Sequence, residues 1–285
     1  MFQRCSTIAW LASLLFAAGL AQRTQPPDHA RTPAQPAGGT SGWTLLFDGN
    51  TLNGWEDPAL ESPPGRAWDV QDHCIHAAPL PCLREDLYSL PTYGDFELVF
   101  DWKIAPGANS GVKYLIQDRI VLLEDDPATA GLTFVQRVNF EFPRRRFSRR
   151  GLQPGQCIEE YTVGFEYQII DNERHPDAAA GADRRAGALY GLAPVTADAA
   201  RPAGEFNEGR IVLRGNHVEH WLNGVRVVVV DLTSPEARQR LAGRWGTDSP
   251  VYRLLTELPR RRTPIALQHH NDEVWFRNIR IRRLD

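Results

Sequence analysis

The sequence has no basic excess, few cysteines and, past its first residues, no long apolar run. Against 35 acidic side chains it sets 32 Lys and Arg, for a formal net charge of -3, so it lacks the cationic surplus that neutralising a phosphate backbone requires. Nucleic acid is therefore not an expected partner. Two arginine clusters, Arg144 to Arg146 with Arg149 and Arg150, and Arg260 to Arg262, are local and read first as solvated loops. There is no Gly-rich phosphate loop, no His-Glu-x-x-His helix and no serine flanked by glycines in an elbow, which removes three large enzyme classes. No Cys and His spacing resembles a zinc site, and no internal repeat is found.

What is present starts with a leader. Arg4 gives a positive start, residues 8–20 are almost wholly apolar, and small residues near Ala21 suit cleavage. The run is too short and too poorly flanked for a membrane span. Residues 1–21 are thus read as a signal peptide, and the mature chain as exported to the periplasm or the exterior without stable membrane insertion. Residues 22–42 are rich in Pro, Gly, Thr and Ala and read as a flexible linker. Export leaves Cys74, Cys82 and Cys157 in an oxidising compartment, where the separation of Cys74 and Cys82 allows a loop that would leave Cys157 free or exchanging, the pairing itself being open.

From residue 43 to 285 the pattern is of short runs with period-two alternation. Strands are predicted over 96–104, 111–116, 164–170, 209–214, 216–222, 225–231 and 274–282. Asn223-Gly224 tolerates the positive φ angles of a type I′ turn and joins two of them in a hairpin. One short helix is predicted from an N-cap at Ser234, with Pro235 in its first position, to about Arg244. Residues 119–161 fit no simple strand spacing and are read as an inserted excursion with a hairpin over 132–142. Many antiparallel strands and little helix predict an all-β, two-sheet sandwich or jelly roll in one domain.

Polar residues set within these apolar strands are the candidates for chemistry. In Phe165 to Ile169 the alternation sends Phe165, Tyr167 and Ile169 to one face and Glu166 and Gln168 to the other. Asn109, Ser110 and Lys113 stand at the start of another strand, and Gln268 and His270 near the C-terminus. Each also has a plain reading: Glu166 at the surface, Lys113 as a solvated edge charge, His270 packed in a turn, Asp171 closing a strand.

Several blocks together resemble the 3-keto-disaccharide hydrolase family. They are Leu46-Phe47-Asp48-Gly49 with Leu52-Asn53-Gly54-Trp55, Asn109-Ser110-Gly111-Val112-Lys113-Tyr114, Phe165-Glu166-Tyr167-Gln168-Ile169-Ile170-Asp171, Glu173-Arg174-His175-Pro176, Gly187-Ala188-Leu189-Tyr190 and Val218-Glu219-His220-Trp221-Leu222-Asn223-Gly224. The resemblance spans nearly the whole mature chain. Phe206 stands where a Trp is usual, and His269 where an acid precedes the histidine matched by His270. The resemblance implies a concanavalin-like jelly roll that hydrolyses glycosidic bonds of sugars already oxidised at C3, by elimination and hydration. It implies catalytic roles for Glu166, Asp171, His270 and Lys113, with Glu166 or His270 as the base and Lys113 with Asn109 on the ketone. Sugar binding falls to Asn109, Gln168, His175, Tyr190 and Gln268. A carbohydrate is the expected partner; a divalent metal is left open, as is the oligomeric state, and no other cofactor is called for. The alternatives are a carbohydrate-binding module that cuts nothing and a cell-surface assembly protein, which would need no small-molecule cleft.

Overall fold

The computed structural model describes residues 42–57, 67–80, 83–124, 126–144 and 157–285. The leader, all of the linker but Gly42, and Cys82 lie outside them. In chain order the strands are β1 Thr44–Leu45, β2 Trp55–Glu56, β3 Trp68–Gln71, β4 Cys74–Ala77, β5 Leu83–Arg84, β6 Leu87–Ser89, β7 Phe96–Ile104 and β8 Asn109–Leu123. After helix α1 Phe134–Glu141 come β9 Ile158–Ile170, β10 Asn207–Arg214, β11 His217–Leu222 and β12 Val225–Asp231. Helices α2 Pro235–Trp245 and α3 Pro250–Glu257 precede β13 Ala266–Leu267 and β14 Val274–Arg283. One sheet runs β12-β11-β10-β7-β14-β4-β3, with β1 also on β14; the other runs β2-β6-β13-β8-β9-β5. The predicted all-β sandwich is the fold.

The alternation in the long strands builds the layer between the sheets. Phe96, Leu98, Phe100, Trp102 and Ile104 of β7 point inward and meet Val112, Tyr114, Phe165, Tyr167 and Ile169 of β8 and β9. Phe100 stands edge-on to Tyr167 with centroids 5.4 Å apart, and Phe96 edge-on to Tyr114 at 6.2 Å. Each such buried ring contributes roughly 1.5–3 kcal/mol. The opposite face of β8 and β9 is thereby left to carry polar groups. At Asn223-Gly224 φ is +50° and +80°, as the predicted turn between β11 and β12 requires.

Three predictions fail here. The hairpin placed over 132–142 is the helix α1. Thr133 and Gln136 form a reciprocal capping box, the Gln136 amide donating to Thr133 Oγ1 at 3.3 Å and the Thr133 amide to Gln136 Oε1 at 2.9 Å. Phe134, Val138 and Phe142 recur every four residues, which is a helical repeat. Second, the single helix is joined by α3, which repeats the start of α2: Ser249 caps it as Ser234 caps α2, and Pro250 follows as Pro235 does. Third, the Cys74 to Cys82 loop is not formed. Cys74 is free and buried at the end of the tight β3–β4 turn, its thiol 3.5 Å from the Asp72 carbonyl, whereas Cys157 is disulfide-bonded.

The three helices lie together. Asn139 of α1 donates to the Trp245 carbonyl at 3.4 Å and accepts from Ser249 Oγ at 2.6 Å. Tyr161 of β9 packs edge-on against Phe134 at 5.1 Å and lies tilted against Trp245 at 5.8 Å. Segments that are distant in sequence thus form one cap beside β9 of the second sheet. No helix of the described residues is long and apolar enough to cross a membrane.

Candidate active site

On the polar face of the second sheet, β13, β8 and β9 run side by side as its centre. Their register places Lys113 between Ala266 and Glu166, and Gly111 opposite Gln168. A cavity of about 170 Å3 opens there. Seven of the nine predicted residues line it: Glu166, Lys113, His270, Asn109, Gln168, Tyr190 and Gln268.

Glu166 sits on the cavity floor. Burial pushes its carboxyl up to about 7, against the opposing pull of Lys113 and Arg244. It reaches that position by lying flat over Gly111: a Cβ there would come within 2.6 Å of Glu166 Oε1 and 2.8 Å of Cγ. Gly111→Ala is therefore expected to displace the carboxyl and lower turnover by roughly 100-fold or more, since about 1 Å of misplacement carries that penalty. Far-ultraviolet dichroism and melting temperature are expected to change little; a fully active Gly111→Ala would show that the carboxyl position is unimportant.

Lys113 is 2% exposed and donates to Asp86 Oδ2 at 2.8 Å. Burial draws its ammonium down, but Asp86 and Glu166 outweigh that and hold it above the usual lysine range. Asp86 also accepts from Thr162 Oγ1 at 2.6 Å and from the His269 amide at 3.2 Å, and Thr162 is bonded in turn to Tyr88. The pair is thus a cation anchored by a fully partnered carboxylate, with the ammonium facing the carboxyl of Glu166. Asp86 escapes sequence reasoning because it follows Arg84-Glu85 in an ordinary charged run; its one signal is its place directly before the apolar Leu87.

His270 is held well below the usual histidine range, at about 3, first by burial and then by Arg84, Lys113 and His175. It is neutral at ordinary pH, its Nδ1 3.9 Å from Asp272. His269 lines the cavity too but is tied to backbone: one ring nitrogen lies 2.8 Å from the Ala78 carbonyl and the other accepts from the Glu85 amide at 3.4 Å. The exchange of an acid for His269 therefore alters a backbone tie beneath the cavity, while Asp86 supplies a carboxylate alongside.

Two predicted residues do not line the cavity. Asp171 accepts backbone amides of Gly107, Glu173 and Arg174 at 2.8 to 3.3 Å, closing β9 as the plain reading has it. Those bonds overcome its burial and hold its carboxyl below the usual range. His175 caps a short 3-10 turn, its Nδ1 accepting from the Asp177 amide at 3.1 Å. Tyr190 is in the cavity, but its hydroxyl donates to Asp177 at 2.9 Å and accepts from Arg184 at 2.9 Å. It presents a ring rather than a hydroxyl. Arg84 and Arg244, which line the cavity too, carry no periodicity or motif and pass unnoticed in the sequence. Among the described residues no three His, Cys, Asp or Glu side chains converge as metal ligands.

Comparison with known proteins accords with this geometry. A family described as the 3-keto-alpha-glucoside-1,2-lyase-like domain matches residues 42–282. A 3-keto-disaccharide hydrolase of Bacteroides thetaiotaomicron is 30% identical over 257 residues, covering 86% of this chain and 79% of that protein. Two crystal structures from Parabacteroides distasonis, of proteins assigned to the glycosyl hydrolases, share the fold. One has TM-score 0.60 at 24% identity, covering 86% of this chain and 94% of the other. The second has TM-score 0.53 at 25% identity, covering 85% and 99%. With nearly all of its sandwich accounted for by that match, this chain belongs to the 3-keto-alpha-glucoside-1,2-lyase-like family.

Proposed function

We propose that the chain cleaves glycosides already oxidised to the ketone at C3, by elimination followed by hydration. Membership of the family makes it a carbohydrate-acting enzyme of the hydrolase type; the route is our reading of the cavity. A C3 ketone acidifies the C2 proton. A base that removes it leaves an enolate, whose collapse expels the glycosidic oxygen from C1, and the abstracted proton passes to that oxygen; water then adds at C1 of the enone and returns a proton to C2. The observation that carries this reading is a carboxyl brought to about 7 on the cavity floor, strand-opposite a lysine ammonium. A base tuned near the working pH and a fixed cation for a developing oxyanion are the two groups that an enolisation needs. In this reading Glu166 takes the C2 proton and Lys113 faces the C3 oxygen, while Asn109, Gln168 and Gln268 bind ring hydroxyls. Neutral His270 donates a hydrogen bond to the leaving oxygen.

Because the base form is the carboxylate, kcat/KM on a 3-keto glucoside is expected to rise about tenfold per pH unit below about pH 6. It is expected to level off above about pH 8. Lys113 stays charged throughout, so no alkaline fall arises from it in that window. The deciding experiment gives the purified chain a 3-keto glucoside and the matching unoxidised glucoside, with and without a chelator, and follows leaving-group release. Release from the oxidised substrate alone supports the reading, and the chelator arm decides whether a metal takes part. Release from both, or binding without release, overturns it, the latter in favour of a binding module. We further propose that the chain works outside the cytoplasm, which the disulfide at Cys157 supports together with the apolar leader.

A further inference from the structure

The cavity has two ends of different chemistry. Along β9, Gln168 lies two residues after Glu166 and Tyr161 five before it, so the two are displaced from Glu166 in opposite directions along the strand. The amides Asn109, Gln168 and Gln268 belong to the first end, and Phe134, Tyr161 and Arg244, drawn from the helical cap and β9, to the second. Tyr190 adds a ring whose hydroxyl is already committed to Asp177 and Arg184.

The charges differ as well. Lys113 pairs with Asp86 at 2.8 Å, Arg84 with Glu159 at 3.0 Å and Arg184 with Asp177 at 2.7 Å. Arg244, at the C-terminal turn of α2, makes no ion pair among the described residues. Its guanidinium lies 4.7 Å from the Tyr190 ring centroid and 5.3 Å from that of Trp245, and it makes one long hydrogen bond, 3.5 Å, to the Tyr190 carbonyl. A guanidinium presents five N–H donors in a planar fork that matches a carboxylate. Here the guanidinium lies beside two rings, lines the cavity and spends one donor on the Tyr190 carbonyl.

We propose that the helical end is the subsite for the leaving group and that it selects an aromatic carboxylate, with the rings stacking on the arene and Arg244 binding the carboxylate. The assignment to a leaving group rests on the reaction proposed above; the aromatic-acid site itself does not. A bidentate arginine–carboxylate contact of this kind carries roughly tenfold or more in selectivity.

The test uses the purified chain, Arg244→Met and Arg244→Lys. Substrates are the 3-keto glucosides of 4-hydroxybenzoate and of 4-hydroxybenzamide, both anomers, and a 3-keto glucosyl-glucose. The wild type is expected to favour the benzoate over the amide by about tenfold in kcat/KM. Arg244→Met is expected to bring that ratio to about one, and Arg244→Lys to keep part of it. Free 4-hydroxybenzoate, titrated calorimetrically, is expected to bind the wild type about tenfold more tightly than Arg244→Met. A wild-type ratio near one, a ratio unchanged in Arg244→Met, or preference for the disaccharide overturns the proposal. Arg244-dependent binding of the free acid with no cleavage of any substrate would keep the site and discard the reaction; no binding and no cleavage discards both. Should Arg244→Met not fold, the wild-type ratio and Arg244→Lys decide.

Discussion

Glu166→Gln is expected to cut leaving-group release from a 3-keto glucoside by about a thousandfold, within the range a positioned general base contributes, without lowering the melting temperature. The second half of the expectation separates a base from a structural residue. Folding raises the carboxyl from 4.5 to about 7, so the folded state binds its proton more tightly than the unfolded chain. That contribution to stability is fully present below about pH 4.5 and is lost as the pH rises through about 7. At pH 8 the wild type holds an ionised carboxylate in a site that disfavours it, and the amide does not. Because the carboxyl opens onto the cavity, the difference is expected to be about 1–3 kcal/mol in favour of Glu166→Gln at pH 8 and near zero at pH 4. Thermal melts at the two pH values, paired with assays, check both. An active variant, or one that melts lower at pH 8, would remove Glu166 from the role of base.

Asp86→Asn is expected to have the largest effect on stability. It leaves the Lys113 ammonium buried without its counter-charge and breaks a carboxylate that also accepts from Thr162 and the His269 amide. Stranding one member of a buried pair costs about 3–5 kcal/mol. At roughly 2–4 °C per kcal/mol for a chain of this size, the melting temperature is expected to fall by about 10 °C. Removing both charges, as Asp86→Leu with Lys113→Met, is expected to recover most of that stability while leaving the enzyme inactive, because the cation we propose for the ketone is gone. Denaturant titration of the single and double variants measures the coupling. An Asp86→Asn variant melting within about 2 °C of wild type would mean that Lys113 is solvated rather than buried.

The long elements were legible because their signals are local. Strands β7 and β12 begin and end where alternation places them, the Asn223-Gly224 turn has the dihedral angles its residues favour, and Ser234-Pro235 opens α2. Two-residue strands such as β1, β2 and β13 carry no period and exist because a neighbouring strand pairs with them, which no window on the sequence contains. In α1, the aromatic and β-branched residues favour strand by composition, and the Thr133–Gln136 box with the four-residue repeat overrides them. The site divides in the same way. Glu166 and Gln168 betray themselves as polar positions in an apolar alternation, and the strand opposite supplies Lys113 by register. Asp86 and Arg244 reach the cavity from elements whose approach is tertiary, and Asp171 lies outside the cavity lining, its carboxylate accepting the backbone amides that close β9.

The clasp of Asn139 and Ser249 has a consequence for how such an enzyme changes over generations. Glu166 and Lys113 stand on the sheet, whose register a shift of one residue would destroy, whereas the cap is assembled from two connecting segments, one between β8 and β9 and one between β12 and β13. Insertions or substitutions in those segments can reshape the pocket end contributed by Phe134 and Arg244 while Glu166 and Lys113 keep their places. Diversification of what is released is thereby uncoupled from the chemistry of release, and a cap exchanged between relatives, both segments moved together so that the clasp travels with them, is the unit in which new preferences would be acquired.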